Sequence, residues 1–329
     1  MENRNNGFAR WIWAGPSEAQ PEAAFEIVYF RREFQLPEGG EYKLIADVSA
    51  DCRYRLYVNG TSAATGPCRG DRHTHYYDTV DLSPMLQAGR NVLAVKAIHY
   101  GTDGPAPLAV ISSPAGAFLL QGAVTGPDGS VLEDVSTGLA GWRCLRDRAI
   151  DFVPETVTCV GGGEKVEGSL LPHGWERAEY DSGRWQAAVE IAWTGDRLHG
   201  LLSPWPLQAR PIPNPYERDG RFKRVMRQEG LPPGFLPERW MRGDDPLRIP
   251  PHAKLTLEMD AGELMTGFLR FAMRRGAGAE IGFVCAESYE TEDGRKRVRD
   301  DPEGKRLRGL RESYQVSGTG NGTETYETF

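Results

Sequence analysis

Between Phe25 and Ile98 the side chains change character with a period of two, and the runs break at turn residues every few positions. Tyr29, Arg31 and Glu33 alternate with Phe30, Arg32 and Phe34, and Tyr42, Leu44, Ala46 and Val48 alternate with Lys43, Ile45 and Asp47. In a strand, successive side chains point to opposite faces, so this period predicts sheet and excludes a helical reading of the same stretch. Arg53 to Val58 continues the pattern and meets Asn59-Gly60. A two-residue hairpin turn requires positive φ at both central positions, so Asn-Gly at a strand end predicts a hairpin. Ser83-Pro84-Met85 reads as a short helical turn, with Ser83 available to accept backbone N–H bonds and Pro84 where its missing donor costs nothing. Gly89 closes that turn, and Asn91 to Ile98 is nearly continuous in apolar residues, as for a central strand covered on both faces. Phe118 to Val124, a turn at Pro127-Asp128-Gly129, and the stretch around Trp142 add further strands. With 39 glycines and 23 prolines to punctuate them, many short strands predict an all-β sandwich or jelly roll rather than a parallel α/β sheet.

A chain of 329 residues is long for one such unit. Residues 203 to 251 carry Pro204, Pro206, Pro211, Pro213 and Pro215, then Pro232, Pro233, Pro237, Pro246, Pro250 and Pro251, which interrupt any regular ladder. Strand pattern resumes with Leu255, Leu257 and Met259, then Gly267 to Met273, then Ile281, Phe283 and Cys285. The expectation is two antiparallel, jelly-roll-like β-sandwich domains, residues 1 to 207 and 208 to 329, joined by a proline-rich arm.

A formal charge of −7 offers no general attraction to nucleic acid. The polar start, Met1 to Asn6, leads into no apolar run of signal-peptide or membrane-span length, which predicts no membrane partner and a cytoplasmic address. Five cysteines, Cys52, Cys68, Cys144, Cys159 and Cys285, show no metal-ligand spacing, and their odd number suits reduced thiols. Cys52 and Cys68 flank Asn59-Gly60 almost symmetrically and are the one pair a hairpin would bring close. No metal and no cofactor is expected.

Several strings carry a family likeness. Tyr29-Phe30-Arg31-Arg32-Glu33-Phe34, Tyr54-Arg55-Leu56-Tyr57-Val58-Asn59-Gly60, Gly66-Pro67, Tyr77-Asp78-Thr79-Val80-Asp81-Leu82 and Gly89 to Val95 resemble the N-terminal β-domain of bacterial α-L-rhamnosidases. They are similar, more loosely, to the sugar-binding jelly rolls of β-galactosidase-like enzymes. Asp181-Ser182-Gly183-Arg184-Trp185 resembles the closing segment of such jelly rolls, and Pro211-Ile212-Pro213 the connection after it. Met259 to Glu263, Thr266-Gly267-Phe268, Gly276-Ala277-Gly278, Ala286-Glu287, Ser313 to Gly318 and Glu324 to Glu327 resemble the rhamnosidase β-sandwich that precedes a helical domain. The resemblance implies inverting hydrolysis of terminal α-L-rhamnosides, with acid and base on a downstream (α/α)6 barrel and two carboxyls roughly 6.5 to 9.5 Å apart to admit water. None of the carboxylates here matches those positions, so no catalytic residue is carried over. The expected role is the non-catalytic front of such an enzyme, with a rhamnosyl carbohydrate as partner through the whole enzyme and self-association through the seam that would meet the barrel. A free-standing carbohydrate-binding protein and a β-galactosidase or β-glucuronidase relative are the alternative readings.

Other candidates read as structural. Asp260 and Glu263 bracket a turn around Ala261-Gly262, and Glu287 is a strand-end charge, so no acid and base pair is assigned to them. His73 and His75 would share a strand face, but two imidazoles do not complete a zinc shell. Of eight tryptophans, Trp11, Trp13, Trp142, Trp175, Trp185, Trp193 and Trp205 are expected mainly in cores, although a flat face could also stack on a pyranose, so sugar-binding residues are left unassigned. The basic run Arg295-Lys296-Arg297-Val298-Arg299 to Lys305-Arg306-Leu307-Arg308 is interleaved with Glu292, Asp293, Asp300, Asp301, Glu303 and Glu312, so its field cancels. Gly161-Gly162-Gly163 lacks a following Lys-Ser or Lys-Thr and reads as a flexible turn.

Overall fold

The computed structural model describes residues 9–16, 25–71, 73–101, 107–108, 110–113, 115–154, 162–191, 205–318 and 322–329. The chain divides into two compact units, Met1–Ile212 and Pro213–Phe329.

Unit 1 holds β1 (Ile12–Trp13), β2 (Glu26–Leu36), β3 (Ile45–Ala50), β4 (Arg53–Val58), β5 (Thr61–Gly66), β6 (His75–Asp81), β7 (Gly89–His99) and β8 (Phe118–Gln121). It continues with β9 (Ala123–Thr125), β10 (Val131–Asp134), β11 (Trp142–Arg146), β12 (Ile150–Pro154), β13 (Gly162–Glu167), β14 (Gln186–Ala187), β15 (Val189–Glu190) and β16 (Leu207–Ala209). Two six-stranded sheets result, in the orders β15-β1-β8-β3-β6-β16 and β14-β11-β2-β7-β4-β5. Every pairing within them is antiparallel except β6 with β16. That parallel pair, Leu207 opposite His75 through Ala209 opposite Tyr77, places unit 1's last strand inside the proline-rich stretch.

The sheets face each other through the residues the alternation selects. Val28, Phe30 and Phe34 of β2, Leu56 and Val58 of β4, and Leu93, Val95 and Ala97 of β7 meet Ala46, Val48, Phe118 and Leu120 of the opposite sheet in one buried cluster. Phe30 stacks on Phe118 at 5.3 Å, and Trp142 meets Phe118 edge-on at 5.7 Å. Burial of each such side chain contributes about 1.5–3 kcal/mol. The opposite face of the second sheet is covered too, by residues 168–185. Tyr29 packs at 4.8 Å against Trp175, and the fully buried Arg31 donates to the carbonyls of Trp175, Arg177 and Tyr180 and to Glu33. Burial would raise the Glu33 carboxyl, but donors from Arg31, Arg90 and Ser182 hold it at about 2. Two covered faces explain why β7 is buried from Asn91 to His99.

The Asn59-Gly60 hairpin is present: Asn59 has φ 51 and Gly60 φ 85 between β4 and β5, the left-handed conformations that turn needs. Ser83–Met85 forms a 3-10 turn, but its serine does not cap it; Ser83 Oγ accepts instead from Leu44 N at 3.0 Å and so ties the turn to the first sheet. Gly162 and Gly163 belong to β13, opposite Pro154 and Val153, so a strand replaces the expected flexible turn; Gly161 lies outside the described residues.

Unit 2 contains β17 (Arg224–Glu229), α1 (Pro237–Arg242), β18 (Thr256–Asp260), β19 (Arg270–Met273), β20 (Glu280–Cys285), β21 (Tyr289–Glu290), β22 (Arg306–Leu307), β23 (Leu310–Gln315) and β24 (Glu324–Glu327). Antiparallel pairs are β17 with β18, β19 with β24, β20 with β23, and β21 with β22. Within the proline-rich stretch, β16, β17 and α1 form regular elements. Pro237 opens α1 where no donor is required, and Gly243 ends it at φ 85.

Candidate functional site

A dense polar centre sits at one end of the unit 1 sandwich, around Asp51. The link from β3 to β4 is only Asp51-Cys52, and both side chains are drawn inward, 2% and 3% exposed. Asp51 Oδ2 accepts from His99 Nδ1 at 2.7 Å and from Cys52 Sγ at 3.0 Å. Oδ1 accepts from Trp205 Nε1 at 2.9 Å, from Ser113 N at 3.1 Å, and from Ser113 Oγ. Burial alone would raise this carboxyl, but the hydrogen bonds from His99, Cys52 and Ser113 hold it below the usual carboxylate range. Burial, with the Asp51 charge behind it, pushes the Cys52 thiol well up. A carboxyl held ionised is a poor general acid, and a thiol held protonated is a poor nucleophile. Asp51, Cys52 and His99 nonetheless offer one oxygen, one sulfur and one nitrogen within 4.8 Å of one another, all buried. Sequence spacing did not expose this trio because His99 arrives from the far end of β7, 47 residues beyond Cys52 by simple numbering.

A second buried carboxylate, Asp78 on β6, accepts from Tyr54 Oη at 2.6 Å and pairs with Arg210 at 2.7 Å. A Cβ on Gly66 would stand 2.0 Å from Asp78 Oδ2, which gives the Gly66-Pro67 string its steric reason.

The carboxylates considered as an acid and base pair are each held by a different cation. Asp260 accepts from Gly262 N at 2.7 Å and from Arg224 at 2.9 Å, and that backbone N–H is the main cause of its lowered carboxyl. Glu263 pairs with Arg218, and Glu287 with Lys296 at 3.3 Å. His73 and His75 do not share a face: β6 begins only at His75, which is buried with Nε2 2.8 Å from Ala50 O, while His73 is an exposed turn residue. Burial lowers the His75 imidazole.

Trp13, Trp142, Trp175, Trp185 and Trp205 are buried, and the half-buried Trp11 packs at 4.6 Å on Trp205; Trp193 lies outside the described residues. The basic run is locally neutralised, Arg295 by Asp293 and Lys305 by Asp301, both at 3.0 Å. Cys52, Cys68, Cys144 and Cys285 are free thiols, so no Cys52–Cys68 bridge forms; Cys159 lies outside the described residues. A shallow depression of about 450 Å³ in unit 2, lined by Arg227, Glu290, Glu292, Glu303, Lys305 and Arg306, is charged in both signs and has no aromatic wall. Among the described residues no helix is long and apolar enough to cross a membrane.

No family model and no curated protein sequence matches the chain. Solved structures do. A GH78 family rhamnosidase of Bacillus sp. GL1 is 27% identical over 69% of this chain and 22% of its own, with a TM-score of 0.53. An α-L-rhamnosidase from Dictyoglumus thermophilum is 18% identical over 99% of this chain and 33% of its own, TM-score 0.62. One from Aspergillus terreus is 17% identical over 97% and 32%, TM-score 0.60. The chain therefore spans between a fifth and a third of the length of these relatives.

Proposed function

Taking the α-L-rhamnosidase-like relationship of this chain as premise, we propose that it is the non-catalytic N-terminal part of an enzyme that hydrolyses terminal α-L-rhamnosides with inversion. The observation that carries this reading is the likeness to rhamnosidase structures over nearly the whole chain and only a third or less of theirs. In support, these carboxylates are engaged otherwise: Asp51 and Asp78 are buried and hydrogen-bonded, and Asp260, Glu263 and Glu287 each neutralise a separate cation. A glycosidase needs a raised carboxylic acid facing a second carboxylate across the sugar. Among the described acids that shift, Asp51, Asp260, Glu33 and Glu324 all move downward, the wrong direction for that acid.

The role is to brace a catalytic domain and border its substrate entrance, with rhamnosyl carbohydrate met through the complete enzyme, in the cytoplasm. The purified chain should release no rhamnose from an aryl α-L-rhamnoside. Turnover that disappears in Glu287→Gln or Asp260→Asn would overturn the proposal. Reading the gene beyond the codon for Phe329 separates the neighbouring possibilities: helix-period sequence with paired carboxylates supports this reading, and alternating strand and helix units would point to a β-galactosidase relative.

A further inference from the structure

We propose that Asp51, Cys52 and His99 form a buried site for one transition-metal ion of the zinc class. The three donors are of the types zinc prefers, carboxylate, thiolate and imidazole, and come from two strand ends that the sandwich fixes against each other. Their present spacing is that of hydrogen bonds, with Asp51 Oδ2 at 2.7 Å from His99 Nδ1 and 3.0 Å from Cys52 Sγ. Zinc takes oxygen and nitrogen at about 2.0–2.2 Å and sulfur at about 2.3 Å, so an ion in the middle requires the three atoms to open by roughly half an ångström. Ser112 Oγ lies 3.5 Å from Cys52 Sγ, on the thiol's side of the trio.

His99 is 1% exposed and its Nε2 has no hydrogen-bond partner, although a buried ring nitrogen ordinarily has one. With Nδ1–H directed at Asp51, Nε2 is bare. Metal binding at Nδ1 moves that proton to Nε2, and Cys52 Sγ loses its proton to solvent. The exchange is Zn²⁺ in and one H⁺ out, and no oxidation occurs. Before it, the cluster carries the single negative charge of Asp51; afterwards the carboxylate and thiolate balance the dication. Removing a net charge from a dry interior is favourable, since an isolated buried charge is costly. Burial places metal acquisition at the folding step rather than on the finished surface.

The test is to refold the full chain from denaturant under reducing conditions, without metal and with one equivalent of Co²⁺. The expected result is one cobalt retained through gel filtration, with a thiolate-to-cobalt charge-transfer band. In Cys52→Ser the band should vanish and affinity should fall by more than the roughly 100-fold that losing an outer-sphere partner costs. His99→Gln should lose retention likewise, which keeps the test decisive if one variant fails to fold. No retained cobalt, retention without the thiolate band, or a band that survives Cys52→Ser and so belongs to another cysteine, each refutes the site.

Discussion

Unit 1 and unit 2 are both built of short antiparallel strands, yet they stabilise themselves in different ways. In unit 1 two six-stranded sheets close on each other, and every member of the main buried apolar cluster, from Ile12 to Cys144, lies in that unit. In unit 2 the buried apolar side chains are few, Met241, Tyr289, Tyr314, Val316 and Tyr326, three of them tyrosines whose hydroxyls need partners. Two of them find carboxylates: Tyr289 donates to Glu258 at 2.8 Å and Tyr314 to Glu324. With so few buried apolar side chains, unit 2 leans on polar ties where unit 1 relies on area removed from water. The same alternating sequence pattern thus serves two energetic regimes, and what separates them is how much apolar surface the strands bury.

The largest effect that would break this comparison is in the sandwich. Phe118→Ala removes a ring packed on Phe30 and Trp142 and should cost about 3–5 kcal/mol in denaturant unfolding followed by tryptophan fluorescence. A cost below about 1 kcal/mol would mean that unit 1 is no better packed than its neighbour.

Next comes the polar tie in unit 2. Glu324 accepts from Tyr314, from Ser317 Oγ at 2.8 Å and from the backbone N–H groups of Ser317 and Gly318 at 3.0 and 3.1 Å. Burial raises this carboxyl, but those donors lower it below its ordinary 4.5. A carboxyl lowered on folding stabilises fully above its unfolded value, and the contribution disappears as pH falls below 4.5 through the folded value. Glu324→Gln should cost roughly 1–3 kcal/mol at neutral pH and flatten the acid limb of unit 2 unfolding, monitored by hydrogen exchange at Tyr314 and Tyr326. An unchanged acid limb would assign the acid sensitivity elsewhere.

A smaller effect sharpens the contrast at the surface. Leu264 and Met265 are 71% and 46% exposed in unit 2, and we expect them to support weak self-association. Sedimentation velocity at rising concentration should show a shift that Leu264→Ser with Met265→Ser reduces; a concentration-independent monomer removes the expectation. Least of all, Arg224→Ala loses an exposed pair with Asp260 and should change unit 2 stability by about 0–1 kcal/mol, because exposed ion pairs are screened by solvent.

Much of unit 1 could be read beforehand at particular residues. Asn59-Gly60 dictated its hairpin through local dihedral preference, and the apolar run Asn91 to Ile98 announced a strand with two covered faces. Ser83 was harder, because its hydroxyl could serve its own turn or Leu44, 39 residues away, and only assembly of the sheet chose the latter. His73 and His75 failed as a pair because the two-residue period holds only within a strand, and the strand starts at the second of them.

Local rules, the period of two and the turn residues, determined by sequence alone that this protein is all-β and where most strands lie. The tertiary structure decided which polar groups meet. Asp51 gathers His99, Ser113 and Trp205 from positions up to 154 residues away, and Arg31 finds its carbonyls beyond residue 170. Dihedral preferences act between neighbours in the chain and leave a trace in composition. A buried carboxylate needs only that donors arrive in space, and nothing in the spacing of the sequence records from which strand end they come.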